Sequence, residues 1–448
     1  MAQTAANFDA MLKNFYPPII TKLMRNRVRM LKKLQKSKRP WTGKATVFPA
    51  HVGRNNSVRF QAEGSDLASA QNEVTVDWTI PRRIMSAHLR ITHAVIEASK
   101  TDQGAFAQAL AFETEAAVDN MMIQGNRAAW GTGTGVLAEV ASISGTPPGS
   151  TVITLRTRAD TFTPADINSV AANRFIRDND VLDIWTQAGA AAWQACRVTA
   201  HSLANATITV TGGTVTTNPV AGDWIYLSQT DTSDPDAYDP MGVGGIIDDG
   251  EWIGTLFGIS RTTYPITKAQ VIEALASGND AATGRAPLTI PMLQRMESRL
   301  FQAGNNPKGY EAIWSHPSVR DAYLNELTPD RRYNQAYKYD PGYKESQEDD
   351  DPHNTTINFN GHPWVAEPDA PYHAAFFTNY SCMAYYELFG FHFIEDDKGS
   401  IRRLVTGKQG LYEMQLAAYY NFGPEAWGPN QCGVLRWIDA APELVEIV

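Results

Sequence analysis

The acidic run near residue 250 is the first place in the sequence where side chains could do chemistry. Asp248, Asp249 and Glu251 follow two glycines, and neighbouring carboxylates can act as a general acid and a general base. No nucleophile or oriented base accompanies them, and the sequence contains no HExxH, GxxxxGKS/T, GxSxG or EF-hand pattern. We therefore expect no catalysis at this cluster and predict that the protein is not an enzyme.

Metal ligands are present, but not in the spacing that a metal site needs. Residues 348–351 read Glu-Asp-Asp-Asp with His353 close behind, and several carboxylates together can hold Ca²⁺. The run lacks the glycine-spaced ligands of a calcium loop, so we expect a solvated loop. His88 and His93 are the closest histidine pair, and in a predicted strand their spacing puts them on opposite faces. We predict no metal and no other cofactor.

The cysteines are three in number, widely separated and without a CxxC spacing: Cys196, Cys382 and Cys432. This usage is typical of a reducing compartment and argues against both a zinc site and a disulfide framework. We expect three small buried side chains.

The strongest charge signal is a basic N-terminal arm. Residues 1–45 carry a net charge of +10 and the rest of the chain −19, which together give −9. Such an arm could face DNA or an acidic assembly partner, or it could pair with the acidic remainder of its own or a neighbouring chain. Both interpretations remain open. The basic residues that carry the prediction are Lys22, Arg25, Arg27, Arg29, Lys32, Lys33, Lys36, Lys38 and Arg39.

The arm is also amphipathic. Leu23, Arg27, Met30, Leu31 and Leu34 follow an approximately helical spacing. Such a segment could lie on a membrane surface, but it leads directly into strand-like sequence and carries no lipidation signal. No stretch approaches the roughly 20 apolar residues that cross a bilayer. We expect no membrane partner.

A long hairpin is predicted over residues 46–98. Val74, Val76, Trp78 and Ile80 alternate with polar residues, which is the period of a strand, and Val58 to Phe60 is the candidate partner strand. A two-stranded ribbon is only marginally stable by itself. We therefore expect its apolar side chains to contact a neighbouring chain: Val58, Phe60, Val74, Val76, Trp78 and Ile80.

The clearest helix is predicted over residues 102–124. Asp102 can cap it, and Phe106, Leu110, Ala117 and Met121 mark one face. The helix should end at Gly125-Asn126. The glycine-rich sequence 131–135 lacks the strand before it and the helix after it that a phosphate-binding loop needs, so we interpret it as a connecting turn.

The remaining sequence predicts a β-rich module and then a mixed α/β region. The module spans 150–230 and is followed by a polar linker over 231–240. Helices are predicted over 267–277, 289–303 and 318–327, and strands over 311–314, 356–359, 363–366, 376–386, 411–421 and 433–438.

This order of elements resembles that of the major capsid proteins of tailed bacteriophages with the Hong Kong 97-like fold. Residues 126–133 resemble the glycine-rich turn that follows the family's spine helix, and residues 314–317 resemble a strand–helix step of its axial domain. Residues 360–365 resemble the family's G-x-P-V strand start, with Trp364 where valine is usual.

The resemblance implies an α+β chain of several parts. They are a basic arm over 1–45, an E-loop hairpin over 46–98, a peripheral domain with the spine helix over 99–149 and 400–448, an inserted β-rich domain over 150–230 and an axial domain over 231–399. Some relatives join subunits through an isopeptide bond between an E-loop lysine and an asparagine. No lysine occurs between Lys44 and Lys100, so we expect no such crosslink.

The implied function is that of a coat protein. Hexamers and pentamers of the chain would form an icosahedral shell around double-stranded DNA in the virion, after assembly in the host bacterial cytoplasm. The resemblance leaves open whether scaffolding, portal and decoration proteins are further partners. The alternatives are an encapsulin-like protein cage and a secreted β-rich carbohydrate-binding or hydrolytic protein.

Overall fold

The computed structural model describes the arm from Met30 onward, with gaps, and the greater part of the chain behind it. The described residues are 30, 33–39, 41, 43–55, 57–67, 69–92, 109–157, 170–228, 239–274, 285–303, 309–333, 357–394, 403–404, 411–425 and 428–440. The expectations for Lys22, Arg25, Arg27, Arg29 and Lys32, for Asp102 and Phe106, for His93 and for residues 348–353 lie outside this part.

The described residues form five α-helices and 23 strands. The helices are α1 Ala109–Trp130, α2 Val170–Asn173, α3 Val243–Ile246, α4 Ile290–Ala303 and α5 Pro317–Tyr333, with 3-10 turns at Pro265–Thr267 and Pro429–Gln431. The strands are β1 Ala45–Gly53, β2 Val74–Pro81, β3 Arg83–Thr92, β4 Ala138–Ser144, β5 Thr151–Arg156, β6 Val181–Trp185, β7 Ala191–Ser202, β8 Thr207–Thr211, β9 Thr214–Val215, β10 Trp224–Leu227, β11 Thr255–Leu256, β12 Ile259–Ser260, β13 Gln270–Glu273, β14 Ala286–Pro287, β15 Ala312–Ser315, β16 Ile357–Phe359, β17 His362–Ala366, β18 Ala374–Thr378, β19 Met383–Phe393, β20 Arg403–Leu404, β21 Leu411–Pro424, β22 Gly433–Arg436 and β23 Ile438–Asp439.

The predicted hairpin is present, but its partner strand is different. β2 confirms the alternating pattern, and it pairs antiparallel with β1, from Ala45 opposite Pro81 to Gly53 opposite Val74. Val58 to Phe60 forms no strand and lies in the connection between the two. β1 is the better partner because it brings an inward-facing Phe48 directly opposite Trp78. Val58 to Phe60 is too short to offer such a face.

Helix α1 ends at Trp130, six residues beyond the predicted last residue, 124. Gly125 and Asn126 are buried inside it, and Trp130 at its end packs in the central core. Asn126 donates its side-chain amide hydrogens to Glu367 and Asp369. Burial and these hydrogen bonds outweigh the cost of about 1 kcal/mol for a glycine in a helix interior. Ala117 and Met121 are buried, as predicted.

Strands β4 to β10 form a closed antiparallel barrel. Their order is β6-β10-β4-β5-β8-β7, and β7 pairs back to β6, so the ring closes, with β9 added beside β7. The inward residues of these strands, Trp193 and Leu155 among them, form one hydrophobic cluster. Closure leaves no free edge within the ring. The β-rich module therefore begins at Ala138, before the predicted boundary at residue 150.

A six-stranded mixed sheet forms the second layered unit, in the order β13-β22-β18-β15-β17-β16. Helix α4 packs on it through Leu293, Met296 and Leu300, which confirms the prediction for 289–303. The prediction of a helix over 267–277 is wrong for its described residues, 267–274. Residues 265–267 form a 3-10 turn and β13 pairs in parallel with β22, because this pairing buries Ile272 beneath α4.

The strand predicted over 376–386 is two strands in two sheets. β18 ends at Thr378, a turn closes with the Cys382 amide donating to the Asn379 carbonyl (3.0 Å), and β19 then starts at Met383. β18 lies in the six-stranded sheet, whereas β19 pairs with β21 in a sheet that also contains β3 and β20. The turn at Asn379 therefore passes the chain from one sheet to the other.

The central core joins the arm, α1 and both of these sheets. Met30 and Leu34 of the arm, Trp130 of α1 and Phe376 of β18 belong to the same cluster of buried side chains. None of the described helices is long and apolar enough to span a membrane.

Candidate assembly surfaces

The connection between β1 and β2 exposes large apolar side chains. Val58, Phe60 and Leu67 are almost completely exposed, and Val74 at the start of β2 is 43% exposed. Apolar groups in one exposed segment are typical of a surface that another molecule covers. This connection is called the hairpin tip, residues 57–67 and 69–73.

The base of the hairpin is covered by its own chain. Trp78 and Ile80 are buried in a cluster with Leu256 and Ile259, and Val76 is half-buried against it. The Thr79 amide donates to the carbonyl of Phe257 at 2.9 Å. Of the six hairpin residues that we expected at a neighbour, Trp78 and Ile80 are therefore already occupied. The residues of this set that remain exposed in the chain are Val58, Phe60, Val74 and part of Val76.

Residues 35–37 of the arm lie alongside strand β19 in a short parallel bridge. The Ser37 amide donates to the Tyr385 carbonyl and the Tyr385 amide donates to the Gln35 carbonyl, both at 2.9 Å. The Leu34 amide donates to the Met30 carbonyl at 3.1 Å, which is a helical hydrogen bond of the kind that the spacing predicted.

Two basic residues of the arm pair with acidic residues of the same chain. Lys36 Nζ lies 3.2 Å from Glu387 Oε2, and Arg39 Nε lies 2.9 Å from Glu425 Oε1. The Arg39 guanidinium also lies over the ring of Phe48, 3.8 Å from its centroid. Lys36 and Arg39 therefore pair with acidic residues of their own chain, which is one of the two interpretations of the arm. Lys33 and Lys38 are exposed.

The acidic run near residue 250 surrounds two fully buried arginines. Arg261 Nη1 lies 3.2 Å from Asp248 Oδ2. Arg436 Nη2 lies 2.9 Å from Glu251 and 3.3 Å from Asp249, and its guanidinium lies 4.0 Å from the ring centroid of Trp252. The carboxylates therefore neutralise buried cations and form no acid–base pair. Arg261 comes 13 residues after Asp248, and Arg436 comes 187 residues after Asp249, so no motif within the run itself could reveal these pairings.

Arg261 also holds the backbone of the preceding segment. Its guanidinium donates to the carbonyls of Gly245, Ile246 and Ile253 at 3.1, 2.6 and 3.1 Å. Burial lowers the pKa of Arg261 to about 10, while the Asp248 charge acts in the opposite direction. The arginine remains protonated at neutral pH and serves as the centre around which residues 245–253 fold.

The cysteines are buried and free, as predicted. Burial raises the pKa of Cys196 to about 12. Cys382 and Cys432 are neighbours in space, and the hydrogen bond between them, together with burial, raises the pKa of Cys382. A low-pKa, reactive thiol is therefore absent at Cys196 and Cys382. No group of three metal-ligating side chains occurs among the described residues.

The glycine-rich sequence 131–135 is a connecting turn, as predicted, between α1 and the barrel. Gly133 has a positive φ of 81°, and a Cβ atom there would lie 3.2 Å from Met241. Beside it, Arg174, which directly follows α2 between barrel strands β5 and β6, donates to the carbonyls of Asp369 and Ala370 at 3.1 and 2.7 Å. These contacts join the β-rich module to the loop that follows β17.

Comparison with known proteins finds likeness in structure and none in sequence models. No family model and no curated protein matches the chain. A chain of the cyanophage A-1(L) capsid asymmetric unit matches with a TM-score of 0.56 at 13% identity, over 97% of this chain and 99% of that chain. The capsid of the Myoviridae phage XM1 matches with a TM-score of 0.47 at 7% identity, over 98% and 99%. The capsid of a native GTA particle matches with a TM-score of 0.48 at 8% identity, over 98% and 99%.

The match to the cyanophage capsid chain establishes the fold. It runs over nearly the full length of both chains. The chain therefore has the Hong Kong 97-like fold of phage capsid proteins, with mixed helices and strands, as the order of its elements indicated.

Proposed function

We propose that the chain is the major capsid protein of a tailed bacteriophage and has a structural role in the virion, not an enzymatic one. The observation that carries the proposal is the full-length likeness to the cyanophage A-1(L) capsid chain. The pairing of Asp248, Asp249 and Glu251 with buried arginines supports it, because this pairing removes the acidic cluster from consideration as a catalytic site. The interpretation as a secreted protein gains no support.

Self-assembly into hexamers and pentamers is the finer part of the proposal. The exposed apolar residues of the hairpin tip, Val58, Phe60 and Leu67, support it, because water is a poor environment for them unless another chain covers them. Val74 and the exposed part of Val76 extend the same surface along β2.

In this proposal the basic residues of the arm have two different roles. Lys36 and Arg39 hold the arm to its own subunit. Lys33 and Lys38, together with Lys22, Arg25, Arg27, Arg29 and Lys32 beyond the described part, supply positive charge for packaged double-stranded DNA or for an acidic scaffold. DNA contacts of this kind are to phosphates and independent of base sequence.

The subdivision of the chain is also proposed. The hairpin would be the E-loop, α1 the spine helix, the six-stranded sheet the axial domain, and the barrel an inserted domain that begins at Ala138. The absence of lysine between Lys44 and Lys100 supports a shell without isopeptide crosslinks.

The test is the assembly state of the purified chain, by negative-stain microscopy and size-exclusion chromatography. We expect closed megadalton particles whose nucleic-acid content, in particles from infected cells, is double-stranded DNA. Particles that instead enclose an enzyme would favour the encapsulin-like cage. A stable monomer or dimer under all salt conditions would contradict the proposal.

A further inference from the structure

Arg39 occupies a position where three parts of the chain meet. Its Nε donates to Glu425 Oε1 at 2.9 Å, just past the end of β21, and its guanidinium lies 3.8 Å from the ring centroid of Phe48 on hairpin strand β1. Arg39 itself belongs to the arm, two residues after the backbone bridge between Ser37 and Tyr385. One side chain of the arm thus contacts both hairpin strand β1 and the residue that follows β21.

The partners of Arg39 also contact each other. Phe48 stacks on Tyr386 of β19, with ring centroids 6.1 Å apart and planes within 10°. The Tyr386 hydroxyl is 2.9 Å from Glu425 Oε2 and donates to the Pro424 carbonyl at 2.7 Å. Glu425 therefore uses one carboxylate oxygen for Arg39 and the other for Tyr386.

We propose that Arg39 couples the seating of the arm to the position of the hairpin. When residues 35–39 lie on β19, the guanidinium completes a set of contacts that fixes Phe48, and with it the base of the hairpin. When the arm leaves β19, Phe48 loses this cover and the hairpin gains freedom to change its angle. This coupling acts within one chain and holds whether or not the chain builds a shell.

The chemistry favours arginine for this task. A planar guanidinium can stack on an aromatic ring and donate to a carboxylate at the same time, whereas a lysine ammonium is a compact point charge. Lys36 offers a matched comparison, because it belongs to the same arm segment and pairs, at 3.2 Å, with Glu387 of β19 instead of with the hairpin.

The experiment is hydrogen–deuterium exchange on the full chain, with variants compared at the same assembly state. In Arg39→Ala we expect amides of β1 and β2 to exchange roughly three- to tenfold faster, because a cation–π contact and a charge-assisted hydrogen bond are lost. Lys36→Ala should leave these amides within about twofold of the unaltered chain. The barrel strands serve as an internal control in each variant.

The reciprocal variant separates coupling from a local effect. Because linkage is reciprocal, Phe48→Leu should speed exchange of the Ser37 and Tyr385 amides on the arm bridge by a similar factor. Arg39→Lys should lie between the unaltered chain and Arg39→Ala in both regions, and it provides the measurement if Arg39→Ala does not fold. Unchanged hairpin protection in both Arg39 variants would overturn the proposal, as would an equal effect of Lys36→Ala.

Discussion

At the scale of single residues, buried charge is the most consequential feature. Arg261, Arg436 and Asp248 are all fully buried. A buried ion pair adds little over an apolar core, but removal of one partner leaves an uncompensated charge. The sequence shows the carboxylates as a cluster. The arginines that pair with them come from β22 and from just after β12.

Asp248→Asn should therefore destabilise the protein by about 3–5 kcal/mol, because two buried guanidinium groups lose their shared carboxylate. Urea unfolding followed by circular dichroism measures the change. Glu251→Gln is the control, since Glu251 is 52% exposed and its pairing should contribute within about 1 kcal/mol. Equal losses in the two variants would contradict this assignment.

His373 gives a prediction for pH. Burial, and next the nearby charge of Arg285, lower its pKa to about 3, although its hydrogen bond to the Ile438 carbonyl acts in the opposite direction. The folded state thus holds the imidazole neutral at pH values where the unfolded chain binds a proton. Its contribution to stability is complete above pH of about 6.5 and is lost as the pH falls towards 3.

His373→Asn should remove this dependence while it keeps a donor for the Ile438 carbonyl. Between pH 4 and 6, the free energy of unfolding of the unaltered chain should fall more steeply than that of the variant, by up to about 1.4 kcal/mol per pH unit. Urea titrations at four pH values measure both slopes. Parallel slopes would show that the pKa of His373 is the same in the folded and unfolded chain, against this prediction.

At the scale of elements, the sequence predicts the helices and strands that follow from local pattern and misses those that depend on tertiary contacts. Helix α4 and strand β2 follow from the periodicity of their own side chains. The continuation of α1 through Gly125, and β13 in place of a helix, depend on partners far away in the sequence. The sequence predicts Val58 and Phe60 as apolar residues available to another chain, and both are exposed in this one, although they form no strand. The burial of Trp78 and Ile80 depends on Leu256 and Ile259, which no local pattern connects to them.

The hairpin tip provides the element-scale prediction. Phe60→Ser should raise the fraction of unassembled chain several-fold and leave the midpoint of thermal unfolding of the subunit almost unchanged, because Phe60 is fully exposed within its own chain. Val220→Ser, at an exposed position on the barrel, is the matched control and should assemble normally. Sedimentation velocity measures the assembled fraction. Normal assembly of the Phe60 variant would remove the tip from the proposed interface.

At the scale of the whole molecule, the order of elements was predictable from the sequence, while the closure of the barrel was not. The order of arm, hairpin, long helix and mixed α/β region pointed to the capsid fold that the cyanophage likeness establishes. The closed barrel depends on the pairing of β6 with both β10 and β7, a relation among three separate segments.

The shell itself supplies a whole-molecule prediction. Boiled and denatured particles should run as single chains on a gel, because the hairpin contains no lysine that could form an isopeptide bond. Particles of a relative known to crosslink serve as the positive control. A ladder of multimers would contradict the proposal of a non-covalent shell.

The barrel has one further consequence, for engineering. The chain comes into it at Ala138 and goes out of it along β10, and Ala138 lies directly opposite Ile225. Opposite residues of antiparallel strands have Cα atoms about 5 Å apart. A different compact module could therefore replace the barrel through two very short joints, with loss of the Arg174 contacts to Asp369 and Ala370. If the proposed shell forms, this position becomes a natural place to carry a foreign domain in every copy.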